Sequence, residues 1–560
     1  MSDRREDDTH LRDAIGLADS WFGLDLSSSD CGHQSSALRS WHDQLDHAWQ
    51  APWPLSEPSD FAVVMAQRAH PQDVTPDGTG PSERVRPEPA YTRPEFGLTA
   101  AAEAMRRGEV SATELTIDSL KRLDTIGRDL NAVIAVDEEA ALVAARCADR
   151  RRQAGQADSP LLGIPLAHKA LYGRAGREST SGAAARRGFV PNATATVLER
   201  LDAAGAVDLG QLHTTEAALD PSGLECHIGP CRNPWDETVI TGGSSSGSAV
   251  AVACGAVFGS LGSDTGGSVR IPAALCGVTG IKPTYGRVSR HGVLPVSFSC
   301  DHVGVLGRTA GDCALLLEAI AGHDPRDATS SKHPMGSALA VGGCVSLAGR
   351  RIGVPEGFFR DYLHHDAQAL LDDSLKALRE LGADLVPVPH FDYDELNALA
   401  AVTLQAEAAT VHLTSLQTRP HAYSRAIRRR LQLGLGIPAV AYNQAIGLRG
   451  LRLAEFLDQV MAYVDMLHTP VIAMPTPSIT WQAGKPSIDR ADMAALTRLT
   501  RPFNYLGLPA ITLPCGFMRS PAGKPIPVGF QLVGHPFSEL ELAAAGAAYQ
   551  SATDWHRHQP

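Results

Sequence analysis

The chain has 560 residues, 44% hydrophobic and 20% charged, the balance of an ordinary soluble protein long enough for a large core and an appendage. A formal net charge of −12 argues against a dedicated nucleic-acid or anionic-membrane surface. No run of roughly 18 apolar residues suits a membrane span, and the charged start "MSDRREDDTHLRD" lacks the apolar stretch of a signal peptide, so a cytoplasmic location with free thiols is expected.

Residues 1–70 read as a small helical appendage, since Leu38, Trp41, Leu45 and Trp49 recur at helical steps. Residues 71–96 carry Pro71, Pro76, Pro81, Pro87, Pro89 and Pro94 and read as an extended linker. The main domain is expected over 97–560. "VSATELTIDSLKRLDTI" is predicted helical, with Ser111 and Glu114 as a capping box. "NAVIAV" reads as a strand, and "EEAALVAARCADRRRQAG" as a helix closed by Gly155. "GIPLAHKAL" reads as a short buried strand or a turn, and "TATVLERLDAAGAVDLGQL" as a helix followed by a strand. "RRIGVPEGFF" and "HDAQALLDDSLKALRELGADLVPV" repeat the strand–helix–strand pattern. A variable region over about 355–500 is more helical, and "TPVIAMPT", "PAITLPCGF" and "PVGFQLVG" return to strands. The alternation predicts an α/β fold, a mixed central sheet covered by helices on both faces.

Three local features have ordinary readings. "ECHIGPC" offers Cys226, His227 and Cys231, but a zinc site needs further ligands at motif spacing, so no metal is expected. "YSRAIRRRLQ" reads as a solvated helix face. Phe358, Phe359 and Tyr362 suit either an apolar substrate pocket or the core, with core preferred.

The chemistry concentrates in two glycine-serine knots, "ITGGSSSGSAV" and "GSDTGGSVRIP", joined by small apolar residues. Ser268 follows Gly266 and Gly267, which free the backbone to turn. The N–H groups of Thr265, Gly266, Gly267 and Ser268 would then converge on a developing oxyanion. A structural turn is the alternative. In the other knot Gly243 to Gly247 matches G-x-S-x-G with Ser245 central, the nucleophile-elbow pattern, although the preceding "NPWDETVIT" is a poor strand. The base for such a serine is His168, His213 or Lys169; a lysine after the apolar run "GIPLA" would lose hydration and favour its neutral form.

These stretches, with "PFNYLGLPAITLPCGF", resemble the amidase signature family over roughly residues 97–555. The resemblance implies that family's α/β fold and a Ser-cisSer-Lys triad: Lys169 as base, Ser244 as the middle serine at a cis peptide, and Ser268 as nucleophile. It implies an oxyanion hole over Thr265 to Ser268, with Ser245, Asp264 and Arg270 supporting the loop. No cofactor is implied. Ala170 departs from the pattern, which often has Asp after the lysine. The implied activity is hydrolysis of a carboxylic amide through an acyl-enzyme. Aryl or alkyl amides such as anilides are favoured, with carbamates or esters as side substrates, because no cationic cluster adjoins the motifs. The expected partners are a small-molecule amide and a second copy of the chain, with no nucleic acid and no membrane. One alternative is the glutaminase component of a tRNA-dependent amidotransferase, its A subunit. Another is a non-catalytic binding protein on the same fold.

Overall fold

The computed structural model describes residues 61–69, 97–361 and 363–560. Most of the expected appendage and linker, and Tyr362, lie outside the described residues. The helix Phe61–Gln67 is described; the Arg449 guanidinium stacks 3.7 Å from the Phe61 ring, and Arg68 pairs with Asp458.

The strands in chain order are β1 (Val133–Val136), β2 (Pro165–Lys169), β3 (Val207–Leu212), β4 (Gly259–Asp264), β5 (Thr279–Lys282), β6 (His302–Gly307), β7 (Arg351–Pro355), β8 (Asp384–Val388), β9 (Met466–Pro470), β10 (Thr480–Gln482), β11 (Lys485–Ser487), β12 (Ala510–Arg519) and β13 (Pro525–Gly534). Eleven of them form one sheet in the order β1, β3, β2, β4, β6, β5, β12, β13, β9, β7, β8, while β10 and β11 make a separate hairpin. Pairing is parallel for β2 with β3 and β4 and for β7 with β8 and β9, and antiparallel elsewhere. The mixed α/β sheet follows the sequence reading. "GIPLAHKAL" resolves as β2, a buried strand.

Local signals act where they were read. Ser111 and Glu114 form the reciprocal capping box at the start of the helix Ala112–Arg122. The C-terminal strand read at "TPVIAMPT" lies earlier, as β9, which ends at Pro470. Prolines at 470, 475 and 477 cannot donate to a ladder, so the chain leaves the sheet there. The variable region forms three long helices, Tyr393–Thr418, Arg425–Leu435 and Ala439–Phe456. The first and third close a second core around Tyr393, Phe456 and Phe503, and the second packs Ile427 and Leu431 into a separate cluster with Leu404 and Ala408. Phe358 and Phe359 are buried in that second core and pack against the Tyr393 ring, so they are core.

The parallel pairing of β2 with β4 sets Ala167 beside Ser260 and His168 beside Leu261. Their C-terminal ends, Lys169 and Asp264, therefore emerge on the same side of the sheet, where α/β proteins gather functional groups. The helix Ser246–Ala253, buried at every residue, packs on the same strands. It fits because Gly247 has no side chain: a methyl there would overlap the Ala132 carbonyl and the His213 amide. Gly247→Ala is expected to cost about 1–3 kcal/mol of stability as overpacking. Gly311→Ala, whose new methyl would meet nothing closer than 3.8 Å in the helix Ala310–Ile320, should be neutral or stabilising. Urea unfolding midpoints of both variants measure the difference.

Candidate active site

Lys169 ends β2 fully buried. Its Nζ lies 2.6 Å from Ser244 Oγ and 2.9 Å from Ser263 Oγ. Burial pulls the ammonium pKa down to about 7, and the charges of Asp264 and Asp301 oppose that pull. Near neutrality a large fraction of Lys169 is therefore the free amine. Ala170 is also buried, and its N–H donates to the Leu212 carbonyl at 3.1 Å, so backbone pairing holds the residue after the lysine without a carboxylate.

Ser244 follows a cis peptide bond, Gly243–Ser244. Its carbonyl accepts from the Thr215 N–H at 3.3 Å. Ser245 joins the two knots: its N–H donates to the Ser268 carbonyl at 3.2 Å, and its hydroxyl donates to the Ser263 carbonyl and accepts from the Ser263 N–H, both at 3.2 Å. That buried hydroxyl is thus spent on backbone. The stretch before it, Asn233–Thr241, forms no strand, so the elbow pattern lacks the geometry that would present Ser245. Ser268 is half-buried, whereas Lys169 and Ser244 are fully buried.

The loop that carries Ser268 is shaped from below. Asp264 accepts from the N–H groups of Gly267 (2.7 Å), Val269 (3.2 Å) and Arg270 (3.3 Å). Its carboxylate also meets the Arg270 guanidinium at 3.0 Å, with both side chains fully buried. Burial alone would raise the Asp264 pKa, but Arg270, Lys282 and Asn504 hold it well below the usual carboxylate range. Arg270 reaches on to Gln531 and Asn504, and Asn504 donates to the Asp264 carbonyl at 3.0 Å. Thr500 donates to the Gly266 carbonyl at 2.6 Å. Thr265 donates through its hydroxyl to Asp301 at 2.6 Å.

One expected oxyanion donor is corrected by this arrangement. The Gly267 N–H donates to the Asp264 carboxylate at 2.7 Å and is already engaged there. Gly267 serves the turn instead, at φ +131°, where a side chain would be strained. The N–H groups of Thr265, Gly266 and Ser268 have no acceptor among the described residues. The rival bases lie elsewhere in the network. His168 Nδ1 meets the Lys169 carbonyl, and its other nitrogen lies 3.6 Å from Asp208. His213 Nε2 meets the Gly229 carbonyl, and burial pulls its pKa to about 4. Cys226, His227 and Cys231 do not converge as ligands; among the described residues the one such cluster is His364, His365 and Asp366. Sequence reading missed Ser263, Thr500, Asn504 and Gln531. Ser263 stood in the quoted motif beside Asp264, and the other three lie more than two hundred residues downstream in sequence.

The family model for the amidase family matches residues 114–543, which hold every residue of this cluster. The chain belongs to the amidase family. Among curated relatives, the A subunit of glutamyl-tRNA(Gln) amidotransferase from Chloroflexus aggregans is 40% identical over 83% of this chain and 97% of its own length. The protein of the same name from Aromatoleum aromaticum is also 40% identical, over 83% and 98%. Among solved structures, a chain described with a vestigial protein complex and the origins of an s-triazine catabolic enzyme superposes with TM-score 0.74 at 33% identity, covering 81% of this chain and 98% of its own. The native peptide amidase from Stenotrophomonas maltophilia gives 0.68 at 29%, covering 81% and 96%. These neighbours share the amidase-signature fold and support amide hydrolysis as the general activity.

The relatives correct the expected partners. They are named as subunits of an enzyme that is itself named for a tRNA, against a small molecule alone with no nucleic acid. A net charge sums over the whole surface, so it did not bear on an intersubunit contact or a local patch. No helix among the described residues is long and apolar enough to cross a membrane. The buried ion pair gives this family member a stability test. Arg270→Ala strands the Asp264 charge and should cost about 3–5 kcal/mol, read as a lower denaturation midpoint, whereas the exposed pair Arg128–Asp124 should be worth at most about 0.5 kcal/mol.

Proposed function

We propose that the chain hydrolyses a carboxylic amide through an acyl-enzyme on Ser268, with Lys169 as base and Ser244 as proton relay. The observation that carries this reading is the buried Lys169 amine, 2.6 Å from Ser244 and with a pKa of about 7. The Lys169 lone pair takes the Ser244 proton as Ser244 takes that of Ser268. The Ser268 oxygen attacks the carbonyl carbon, and the negative oxygen that results is held by the N–H groups of Thr265, Gly266 and Ser268. Ser244 returns a proton to the leaving nitrogen and the C–N bond breaks. Water, activated by the same relay, cleaves the ester and restores Ser268.

Ser268→Ala should lower amide turnover by about 10⁴-fold or more, and Lys169→Ala by about 10²–10⁴-fold. A serine-directed acylating probe should give one adduct by intact-mass spectrometry, on Ser268 and dependent on Lys169. An adduct on Ser245, or one indifferent to Lys169, would contradict the triad. Because the base must be neutral, kcat/KM should fall about tenfold per unit as pH drops below about 7 and level off above it.

For the substrate, the relatives favour the glutaminase role within a tRNA-dependent amidotransferase over a stand-alone aryl or alkyl amidase. They match along 97–98% of their own length. In that role the amide is glutamine and the released ammonia passes to a partner. Ammonia release from glutamine is expected to rise when the other components of such an enzyme and a glutamyl-tRNA are added. Efficient cleavage of simple amides by the chain alone, with glutamine untouched, would return the reading to a stand-alone amidase.

A further inference from the structure

The loop that carries the oxyanion donors is held at its Thr265 end by two carboxylates that the catalytic motifs do not contain. β4 and β6 pair antiparallel with Asp264 opposite His302, so the residues just beyond, Thr265 and Asp301, come face to face. The Thr265 hydroxyl donates to the Asp301 carboxylate at 2.6 Å. Asp301 also closes the segment before it, accepting from the N–H groups of Val296 at 2.9 Å and Ser297 at 3.1 Å. Glu407, on the variable-region helix Tyr393–Thr418, holds the same segment. Its Oε2 accepts from the Ser297 hydroxyl at 2.5 Å and the Ser299 N–H at 3.0 Å. Its Oε1 accepts from the Ser299 hydroxyl at 2.6 Å and the Tyr442 hydroxyl at 2.9 Å.

Glu407 is buried, and its four hydrogen-bond donors among the described residues are neutral groups. A buried carboxylate is tolerated only when its lone pairs are filled. Three of those four donors come from Ser297 and Ser299, so the charge fixes that segment. The segment fixes Asp301 through the Ser297 N–H, and Asp301 fixes the Thr265 side chain. The Gly266 carbonyl, on the next residue, is held from elsewhere by Thr500. An unbroken chain of hydrogen bonds thus runs from a helix of the variable region to the first of the oxyanion donors.

We propose that Glu407 is a positioning residue for the oxyanion site, acting on Thr265 through Ser297 and Asp301. This rests on the reading of Ser268 as nucleophile and of the Thr265 N–H as an oxyanion donor. Tying down the Thr265 side chain orients the peptide planes on either side of it. A donor aimed at the developing oxyanion acts on the transition state more than on the bound amide. Loosening the chain at Glu407 therefore slows the chemical step and leaves substrate binding nearly as it was.

The test uses the full-length wild type, Glu407→Leu, Glu407→Gln, Thr265→Val and the double variant Glu407→Leu/Thr265→Val. Turnover is counted per Ser268 labelled by the acylating probe, so a misfolded fraction does not enter kcat. The amide is glutamine, or pentanamide if glutamine is untouched, and butylboronic acid serves as the tetrahedral anionic mimic. Glu407→Leu and Thr265→Val should each lower kcat about 10–100-fold, leave KM within about twofold and weaken butylboronic acid by the same factor as kcat. Glu407→Gln should keep kcat within about threefold of wild type, because its carbonyl can accept from Ser297 and the Ser299 N–H while its amide donates to the Ser299 and Tyr442 hydroxyls, which turn to accept. The double variant should fall within about twofold of the slower single variant, because both changes break one chain. An unchanged kcat per labelled serine in Glu407→Leu, a loss carried by KM, or losses that multiply in the double variant overturns the proposal. Should Glu407→Leu fail to fold, Ser297→Ala removes one hydroxyl from the middle of the chain, and an unchanged kcat there overturns the proposal equally. Labelling of wild type away from Ser268 overturns the reading of the nucleophile and this proposal with it, whereas labelled Ser268 with kcat intact in Glu407→Leu overturns this proposal alone.

Discussion

The Asp264 carboxylate is the group from which the rest of the site takes its shape. It is fully buried and accepts from three backbone N–H groups of the loop that follows it, from Arg270 and from Asn504. Each bond removes a freedom from the loop that carries Ser268. A buried carboxylate is tolerable only when its lone pairs are filled and its charge is matched. The requirement works in both directions: the charge forces the loop to close around it, and the closed loop leaves the remaining N–H groups pointing outward. Arg270 extends the network to Gln531 on β13, so the turn is tied to the middle of the sheet.

Lys169 uses the same burial to the opposite end. Asp264 has a fixed partner and stays charged. Lys169 has two serine hydroxyls beside it and carboxylates only at a distance, so desolvation wins and its pKa falls to about 7. Two ionisable groups at the ends of neighbouring strands are thus driven apart, one held charged and one poised to exchange a proton. Separation of this kind is what acid–base work needs near neutral pH.

The arginines near the site divide by the same rule. Arg270 is matched inside the protein and acts on structure. Arg501 and Arg430 are unmatched by any carboxylate in reach among the described residues, and they stand on the elements that touch the two serine knots.

Local and short-range information was legible in the chain. The capping box at Ser111, the small-residue helix from Ser246 and the two knots follow from periodicity, glycine placement and motif spacing, while "GIPLAHKAL" read as either a buried strand or a turn. Those signals live within a few residues of one another, where backbone sterics and hydrogen bonding decide the outcome. What lay beyond them depends on pairing across the sheet. Nothing near Asn504 or Thr500 announces that they will hold a loop more than two hundred residues earlier, and nothing in "YSRAIRRRLQ" tells which arginine turns inward. The Gly267 N–H looked free until the Asp264 carboxylate was seen to occupy it. The sequence by itself determined which groups can do chemistry, because residue type and local spacing set their reactivity. Only the tertiary structure decided their charge state, their free donors and their neighbours, because burial and long-range contact exist only once the sheet has closed.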